Sequence, residues 1–418
     1  MDRRYFISQL SAGLASCAVA SPALNIKPTY DDHILDPEAP KAIAMWDFSW
    51  LLRHYRGGGF EDWDKALDEL VYRGYNALRI DCFPQFIGQD DEGNADEHFH
   101  LPKNGWHPTL WGNQYTINIE PHASLLTFIK KCSERSISLV LSSWFYGHGT
   151  QRNKKFTTAG GLIRAWDQTL QLLANNDLLD TVLYVDILNE YPLWHGYQWL
   201  IDELSARGNS KKGTFDFLNL SGVRQYNDQQ ILYYNDFINK VIGSLKKKWP
   251  DLRFMTSQTN TLNTPWQDLD ISQFDVLDIH QWMVYNQSFS QYTGYFSNVH
   301  TLKNDIQFKK TYRLMNEYWS SHTSELIKWL ATSIIERRQV AIERNIPLGC
   351  TEGWGSVIWM NHPDLDWTFI KEVGLIAATL GTENQYSFNC SSNFTHPHFT
   401  LWEDITWHKE VTSIIRKL

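Results

Sequence analysis

Val182-Leu-Tyr-Val-Asp-Ile-Leu-Asn-Glu-Tyr-Pro192 is the stretch of this chain that decides its fold. Its apolar, β-branched run is too short for a helix, so it predicts a buried β-strand that breaks into polar sequence at Glu190. A second run of this kind, Ile346-Pro-Leu-Gly-Cys-Thr-Glu-Gly-Trp354, breaks at Glu352. In a barrel of parallel strands, a carboxylate at the carboxyl end of a strand points into the mouth of the site.

Segments of strand and helix character alternate along the rest of the chain, which is the pattern of a parallel α/β fold. The strand candidates are Ala42–Phe48, Ala77–Asp81, Ser138–Ser142, Leu183–Leu188, Phe254–Ser257, Val276–Ile279, Pro347–Thr351 and Tyr386–Asn389. Helices are predicted near 62–72, 121–134, 162–174, 229–249, 325–344, 364–380 and 403–416, with a weaker one near 264–272. Eight strand–helix units predict a single (β/α)8 TIM barrel domain over residues 41–418. A doubly wound open sheet is the alternative, but it would usually carry fewer strands.

Three long insertions follow the second, fourth and sixth predicted strands, over residues 83–120, 191–228 and 281–323. All three are connections from a strand to the next helix, so they gather on one face of a barrel. Loops of this length inside a compact domain are usually lids or walls of a binding site.

The composition describes a globular protein whose partner is not a polyanion. Of 418 residues, 43% are hydrophobic and 20% are charged, with a net charge of -9. The negative charge argues against nucleic acid or an anionic membrane surface as a partner. Tryptophan is unusually frequent, with 19 copies beside 19 tyrosines. Flat aromatic faces stack on sugar rings, which modestly favours a carbohydrate ligand.

The first 20 residues read as a signal peptide, because Met1-Asp-Arg-Arg-Tyr-Phe-Ile-Ser8 carries twin arginines before a stretch of small apolar residues. Two processing outcomes compete. Ala18-Val-Ala20 fits cleavage by signal peptidase, whereas Leu14-Ala-Ser-Cys17 resembles a bacterial lipobox that would leave Cys17 lipidated. Residues 21–40 form a proline-containing linker. We therefore expect an exported bacterial protein, periplasmic or at the cell surface.

The remaining cysteines, Cys82, Cys132, Cys350 and Cys390, show no spacing that suggests zinc. Most of them lie in or beside predicted strands, where cysteine behaves as a small buried apolar residue. We expect no metal and no organic cofactor. The oligomeric state stays open.

Glu190 and Glu352 together suggest glycoside hydrolysis, since enzymes that cleave a glycosidic bond generally use a pair of carboxyl groups. Asn189 beside Glu190 can hydrogen-bond a substrate hydroxyl, and an acid in a partly apolar mouth has a raised pKa. Each acid also has an ordinary explanation, a helix cap for the first and a surface turn for the second. Their positions at the ends of the fourth and seventh predicted strands favour a pair of catalytic carboxylates.

Further candidate substrate-binding residues lie at or just beyond strand ends. These are Trp46, Asp47, Arg79, Trp144, His148, His280, Trp282, Tyr285 and Trp354. An inward Arg79 would hold the attacking carboxylate ionised and oriented. The alternative for Arg79 is a structural ion pair with Asp81.

With these residues in place, the chain resembles the clan A glycoside hydrolases, the (β/α)8 superfamily that includes cellulase-like family 5 enzymes. Trp46-Asp-Phe-Ser-Trp-Leu-Leu52 through Arg79-Ile-Asp81 is similar to the sugar-binding, cellulase-like group within it. The resemblance implies that Glu190 is the acid/base and Glu352 the nucleophile. It also matches Arg79 to the arginine on strand two and His280 to the histidine on strand six.

The chain departs from the family pattern around the two acids. Ser142-Ser-Trp144 stands where family 5 enzymes usually have a histidine, and Trp282 stands where they have a tyrosine. Tyr285 is the candidate to replace that tyrosine as a hydrogen-bond donor to the nucleophile. Phe388 replaces the platform tryptophan of strand eight.

Three functions follow. The first is an exported retaining β-glycosidase that acts on an oligo- or polysaccharide by double displacement. The departures motivate the second, a barrel at the cell surface that binds saccharides without cleaving them. The third, a metal-dependent hydrolase or isomerase, needs a cluster of His, Asp and Glu on several strand ends, and the sequence reveals none.

Overall fold

The computed structural model describes residues 35–103, 111–192, 194–208, 227–259, 269–295, 305–356, 361 and 366–418. The predictions of a signal peptide, of Cys17 as a lipid anchor and of most of the linker lie outside these residues. The weak helix predicted for 264–272 does so in part, and its described residues, 269–272, are not helical.

Twelve strands are present in the described residues. They are β1 (Lys41–Asp47), β2 (Ala77–Asp81), β3 (Phe99–Leu101), β4 (Ile117–Ile119), β5 (Ser138–Ser142), β6 (Val182–Asp186), β7 (Phe254–Met255), β8 (Gln258–Thr259), β9 (Leu277–Trp282), β10 (Leu348–Cys350), β11 (Gly353–Trp354) and β12 (Phe388–Cys390). All but β3 and β4, which form an antiparallel pair, belong to one parallel sheet.

The parallel sheet closes into a barrel. It runs from β6 through β5, β2, β1, β12 and β10 to β9. The gap between β6 and β9 is filled by the segment 254–259, in which β7 pairs with β6 and β8 pairs with β9. This segment fills the fifth of the eight strand positions of the barrel, which are called staves below. The predicted (β/α)8 TIM barrel is therefore confirmed.

Helices alternate with these staves along the chain. They are α1 (Ser49–Leu52), α2 (Trp63–Tyr72), α3 (Pro84–Ile87), α4 (Pro121–Ser133), α5 (Ala159–Ala174), α6 (Gln198–Arg207), α7 (Asp228–Lys248), α8 (Gln287–Thr293), α9 (Asp305–Arg344), α10 (Thr368–Glu383) and α11 (Ile405–Arg416). Short 3₁₀ turns lie at Arg152–Lys155, Leu179–Thr181, Met283–Tyr285 and Thr400–Glu403. Among the described residues, none of these helices has the length and apolar character needed to cross a membrane.

Helix α9 begins about 20 residues before the helix predicted over 325–344. His322 inside it has non-helical dihedral angles, so the element consists of two helical parts joined at a kink. Phe308, Met315 and Trp319 are buried in its first part. Their spacing is helical, but polar and aromatic residues between them obscure the apolar stripe in the sequence.

Close packing fills the barrel interior. The rings of Tyr184 on β6 and Phe388 on β12 lie 5.3 Å apart between centroids. Gly349 on β10 leaves the space that the Phe388 ring occupies, because a Cβ at Gly349 would lie 2.4 Å from that ring and 2.3 Å from the Phe388 carbonyl oxygen. The four cysteines Cys82, Cys132, Cys350 and Cys390 are buried and free of disulfide bonds.

We expect the Gly349→Ala substitution to lower the free energy of unfolding by about 3 kcal/mol, because the barrel interior has no room for the methyl group. Gly243→Ala is the matched control. A Cβ at Gly243 in α7 meets nothing within 4 Å, so alanine should stabilise that helix by up to about 1 kcal/mol. Urea unfolding of both variants measures the difference, and equal effects would contradict this packing.

Candidate active site

The two glutamates meet at the carboxyl ends of the staves. Glu190 follows β6 and Glu352 lies between β10 and β11. Both are nearly buried, with 5% and 1% of their surface exposed. One oxygen of each and a ring nitrogen of His280 all lie within 4.8 Å of one another. The fold thus brings together acids that are 162 positions apart in the chain.

Arg79 on β2 holds Glu352. Its Nη1 donates to Glu352 Oε1 and to Asp47 Oδ1, the latter at 2.6 Å. Its Nη2 donates to Asn189 Oδ1 and to Asp186 Oδ2, the latter at 3.2 Å. The expected alternative, an ion pair with Asp81, does not form. Asp81 instead accepts the backbone N–H groups of Phe83 and Trp144, and burial raises its pKa to about 7.

Asn393 is a second donor to Glu352 that the sequence analysis missed. It lies three residues beyond β12, and its Nδ2 donates to Glu352 Oε2 at 3.3 Å. Its Oδ1 accepts the N–H of Gly353 at 3.0 Å, which fixes the orientation of the amide. The polar run after the eighth predicted strand was the only signal in the sequence. Asn393, rather than Tyr285, therefore takes the role expected of a donor to the nucleophile.

Glu190 is held by residues of β9. Its Oε1 accepts the indole N–H of Trp282 at 3.2 Å and lies 3.0 Å from His280 Nδ1. The backbone N–H of Glu190 donates to Ser257 Oγ at 2.9 Å. Trp282, which occupies the family's tyrosine position, therefore contacts the acid on strand four.

His280 lies between the two acids, with Nδ1 3.6 Å from Glu352 Oε1. On its other side, Thr351 donates its hydroxyl hydrogen to Asp278 Oδ2 at 2.6 Å. The Thr351 oxygen is therefore an acceptor for His280 Nε2, 3.2 Å away. Burial opposes a charge on the ring, but Glu352, Asp278 and Glu190 together raise the pKa of His280 well above its usual value. An imidazolium with both nitrogens protonated satisfies all of these contacts.

The buried cluster contains more acids than cations. Five carboxyl groups, those of Asp47, Asp186, Glu190, Asp278 and Glu352, lie around Arg79 and His280. In a low-dielectric interior such an excess favours retention of protons. Burial raises the pKa of Glu352 to about 8, with Asp47 and Glu190 adding to the rise and Arg79 and His280 opposing it. Burial likewise raises the pKa of Asp47, so the two acids that share Arg79 Nη1 retain protons most readily.

Glu190, His280 and Glu352 also form a cluster with the spacing of metal ligands, which corrects the expectation that no such cluster exists. A divalent cation there would have to displace the Arg79 guanidinium from Glu352 and the proton from His280 Nδ1. The charges already in place therefore suit an imidazolium better than a metal ion.

Aromatic residues line the site beyond the carboxyl end of β5. Trp144 Nε1 donates to Asp47 Oδ2 at 2.7 Å. Tyr146 is half-buried, and burial followed by the charges of Glu190 and Glu352 raises its pKa. His148 lies among Phe48, Phe83, Phe86 and Tyr146, and burial lowers its pKa to about 3. His148 is therefore a neutral member of an aromatic cluster.

Trp46 is a correction to the predicted site. It lies on the face of β1 opposite Asp47, where its ring packs on Phe60 and Phe128 and its indole N–H donates to Thr395 O at 2.7 Å. The pairing of β1 with β2 is irregular between Met45 and Asp47, and Asp47 has a φ of 33°. Trp46 packs under the helices there, while Asp47 enters the site. Trp354 is likewise buried, with its N–H bonded to Cys390 O at 2.9 Å.

Tyr285 lies on the Glu190 side of the site. Burial and the charge of Glu190 raise its pKa, and Thr259 and Trp194 lie beside its hydroxyl. Trp194, like Asn393, was absent from the predicted site, because its position was read only as part of a long insertion.

A family model described as sugar-binding cellulase-like matches residues 43–416. The chain belongs to this family. No protein with curated annotation matches it.

Solved structures agree with this assignment. A structure described as a "putative glycoside hydrolase" from Parabacteroides distasonis is 29% identical, with a TM-score of 0.75 over 90% of this chain and 94% of that one. Cel5A of Thermotoga maritima, solved with mannotriose, is 11% identical, with a TM-score of 0.54 over 91% and 98%. The cellulose synthase subunit Z of Clostridioides difficile is 12% identical, with a TM-score of 0.50 over 90% and 99%. The last two show the fold alone.

The Glu352→Gln substitution should stabilise the folded protein at alkaline pH. A carboxyl whose folded pKa lies above its unfolded value loses folding free energy as pH rises between the two values, here from 4.5 to about 8. Glutamine removes that loss, so the variant should melt about 2 °C or more above the parent at pH 8 and closer to it at pH 5.

Thermal unfolding from pH 5 to pH 9 measures this difference. Glu134→Gln, at an exposed glutamate just after α4, is the control and should show no such trend. A Glu352→Gln variant that melts below the parent at pH 8 would contradict the assigned direction of the pKa shift.

Proposed function

We propose that the protein is an exported retaining β-glycoside hydrolase that acts on an oligo- or polysaccharide. The observation that carries this proposal is the approach of the Glu190 and Glu352 oxygens to within 4.8 Å of each other at the carboxyl ends of barrel staves. Retaining glycosidases have carboxyl groups about 5–5.5 Å apart, whereas inverting ones leave about 6.5–9.5 Å for a water molecule. The short separation favours double displacement.

In this mechanism Glu352 is the nucleophile. It attacks the anomeric carbon as the bond to the leaving oxygen breaks, and Glu190 gives that oxygen a proton. Glu190 then takes a proton from water, which attacks the anomeric carbon and releases Glu352. Arg79 and Asn393 hold one Glu352 oxygen each, so the carboxylate is oriented before the substrate arrives.

The charge of the cluster sets a condition on this mechanism. Glu352 must be ionised to attack, yet burial in the free protein raises its pKa to about 8. The hydrolase therefore requires Glu352 to lose its proton to solvent or to a neighbouring carboxylate when substrate binds. Activity should accordingly rise with pH through the neutral range.

A second candidate function is saccharide binding without cleavage. The raised pKa of Glu352 favours it. A protonated Glu352 is a hydrogen-bond donor to a sugar hydroxyl rather than a nucleophile. Glu190 is in addition held on one oxygen by Trp282 and His280. The description of the matching family as sugar-binding is consistent with this candidate.

Hydrolysis of aryl β-glycosides and of β-linked glucans and mannans should separate the two. We expect Glu190→Gln to lower kcat on polysaccharide by about 10²–10⁴-fold, because general acid catalysis is lost. On a dinitrophenyl glycoside, whose leaving group needs no proton, the bond-breaking step should fall much less. Glu352→Gln should abolish both reactions.

Trapping tests the nucleophile directly. A 2-deoxy-2-fluoro glycoside with a good leaving group should add one sugar to Glu352, seen by mass spectrometry of peptides, and Glu352→Gln should stay unlabelled. Saccharide binding that is equal in the parent, Glu190→Gln and Glu352→Gln, with no hydrolysis and no labelling, would replace the hydrolase with the binding protein.

Export rests on the N-terminal sequence. Twin arginines before the small apolar stretch support translocation, and Cys17 supports a lipid anchor in competition with cleavage near Ala20. Intact mass of the protein from a bacterial host distinguishes these outcomes. We expect a processed chain beginning at an acylated Cys17 or after Ala20, and an unprocessed cytoplasmic chain would rule out export.

A further inference from the structure

Asp278 is a fully buried acid on β9, two residues before His280. Alternation along the strand directs both side chains to the interior of the barrel. In the part of the chain that the structure describes, no lysine or arginine lies within ion-pair distance of Asp278, and His280 Nε2 is 3.8 Å from its Oδ2. A carboxylate in such a place is costly unless hydrogen bonds satisfy it, so its contacts should show why it is there.

Three hydrogen bonds satisfy the Asp278 carboxylate. Its Oδ1 accepts the backbone N–H of Thr351 at 3.0 Å. Its Oδ2 accepts the hydroxyl of Thr351 at 2.6 Å and that of Tyr184 at 2.9 Å. Burial opposes ionisation, but His280 is foremost among the neighbours that lower the pKa of Asp278. The ionised group can only accept, so all three partners donate to it.

The pairing of β9 with the seventh stave is interrupted at Glu352. Asp278 pairs with Gly349. The next pair joins Gln281 and Gly353, so three residues on the seventh stave face two on β9. An extra residue of this kind is a β-bulge, which re-aims a side chain beside an active site. The bulge consists of residues 350–352, and Asp278 holds the N–H at its centre.

The same carboxylate fixes the direction of the hydrogen bonds at His280. Because the Thr351 hydroxyl donates to Asp278, its oxygen accepts from His280 Nε2, which lies 3.2 Å away. On the other side of the ring, Nδ1 is 3.0 Å from Glu190 Oε1 and 3.6 Å from Glu352 Oε1. Acceptors therefore face both ring nitrogens, and the ring carries a hydrogen on each.

We propose that Asp278 is a positioning residue that acts through Thr351, where its carboxylate holds both the bulge that carries Glu352 and the charged ring of His280. One buried group thereby sets the nucleophile and the ring between the two acids without touching the substrate. The effect on catalysis rests on the proposed function, whereas the hold on His280 does not depend on it.

The Asp278→Asn substitution keeps the shape of the side chain and reverses these hydrogen bonds. The amide Oδ1 can still accept the N–H of Thr351, but the amide Nδ2 donates to the hydroxyl oxygens that Oδ2 accepted from. The Thr351 hydroxyl must then donate to His280 Nε2, which loses its hydrogen to become an acceptor. A carboxylate and an imidazolium are thus replaced by two neutral groups.

Nitrogen-15 NMR of protein labelled in its histidines reads this change directly. At neutral pH we expect both His280 nitrogens to be protonated in the parent, and Nε2 to be unprotonated in Asp278→Asn. The spectrum of His280→Asn assigns the signals. His148 and His408 are internal references, because burial lowers the pKa of each to about 3 and both should stay neutral in every variant.

Kinetics on a hydrolysed β-glycoside tests the effect on Glu352. Asp278→Asn should lower kcat by about 10²-fold, the size of effect expected when a catalytic group is slightly displaced, while KM changes little. Thr351→Val keeps the main-chain bond to Asp278 and removes the hydroxyl, so it should lower kcat by a smaller factor. Tyr184→Phe is the matched control. It removes a donor to the same Asp278 oxygen, so it should lower the melting temperature but leave kcat and the His280 signals nearly unchanged.

The outcomes separate the positioning role from the function on which its kinetic effect depends. An unchanged His280 spectrum in folded Asp278→Asn protein, or a loss of kcat in Tyr184→Phe equal to that in Asp278→Asn, would overturn the role and leave the hydrolase intact. If Asp278→Asn does not fold, Thr351→Val takes its place, and an unchanged His280 Nε2 signal there would overturn the role. If the parent hydrolyses no glycoside, the proposed function fails and the NMR comparison still decides what Asp278 does.

Discussion

The guanidinium of Arg79 is fully buried at the carboxyl end of the barrel and contacts acids or amides from three other staves or the loops that follow them. Burying this many carboxyl groups without a cation would be very costly, since an unpaired charge in the interior loses several kcal/mol of hydration. The remaining structure of the site depends on that cation. Asp47 and Asp186 orient it, and through it they set the position of Glu352.

One arginine and one imidazolium do not neutralise five carboxyl groups, and this imbalance is the central electrostatic fact of the site. Protons must be shared within the cluster, and burial raises the pKa of both Glu352 and Asp47, the two acids that share Arg79 Nη1. Asp278 behaves differently. Burial opposes its ionisation, but the charges of His280 and Arg79 and the hydrogen bond from Thr351 outweigh burial and lower its pKa. The network therefore distributes charge by hydrogen bonding as much as by distance.

The sequence predicted the barrel well because buried parallel strands leave a strong local signal. β2 and β5 have the predicted bounds, and the others differ by a few residues. It also predicted which polar residues end those strands, including Glu190, Glu352, Arg79 and His280. The face of the strand to which each side chain points was harder to predict from the sequence. Trp46 and Asp47 are adjacent, and only the register of β1 against its neighbours decides which of them enters the barrel.

The contacts that distinguish this site were beyond sequence reasoning because they join distant loops. Asn393 reaches Glu352 from a loop with no periodic pattern, and Trp194 lies in an insertion whose course is set by bonds to Asn189 and Trp144. Trp282 was predicted to lie just beyond its strand, whereas β9 extends through it, and its partner could not be inferred. The N–H of an indole lies nearer the main chain than the hydroxyl of a phenol, and here it donates to Glu190 rather than Glu352.

These departures bear on one question, whether the barrel hydrolyses or only binds. Donors that hold an acid/base and a proton that neutralises a nucleophile both work against chemistry in the unliganded state. A sugar ring that enters the site would displace water, bring hydroxyl donors near the carboxylates and alter which of them holds the proton. If the energy of sugar binding drives that change, binding and catalysis share a first step. The two functions then differ only in whether the proton leaves Glu352 and reaches Glu190.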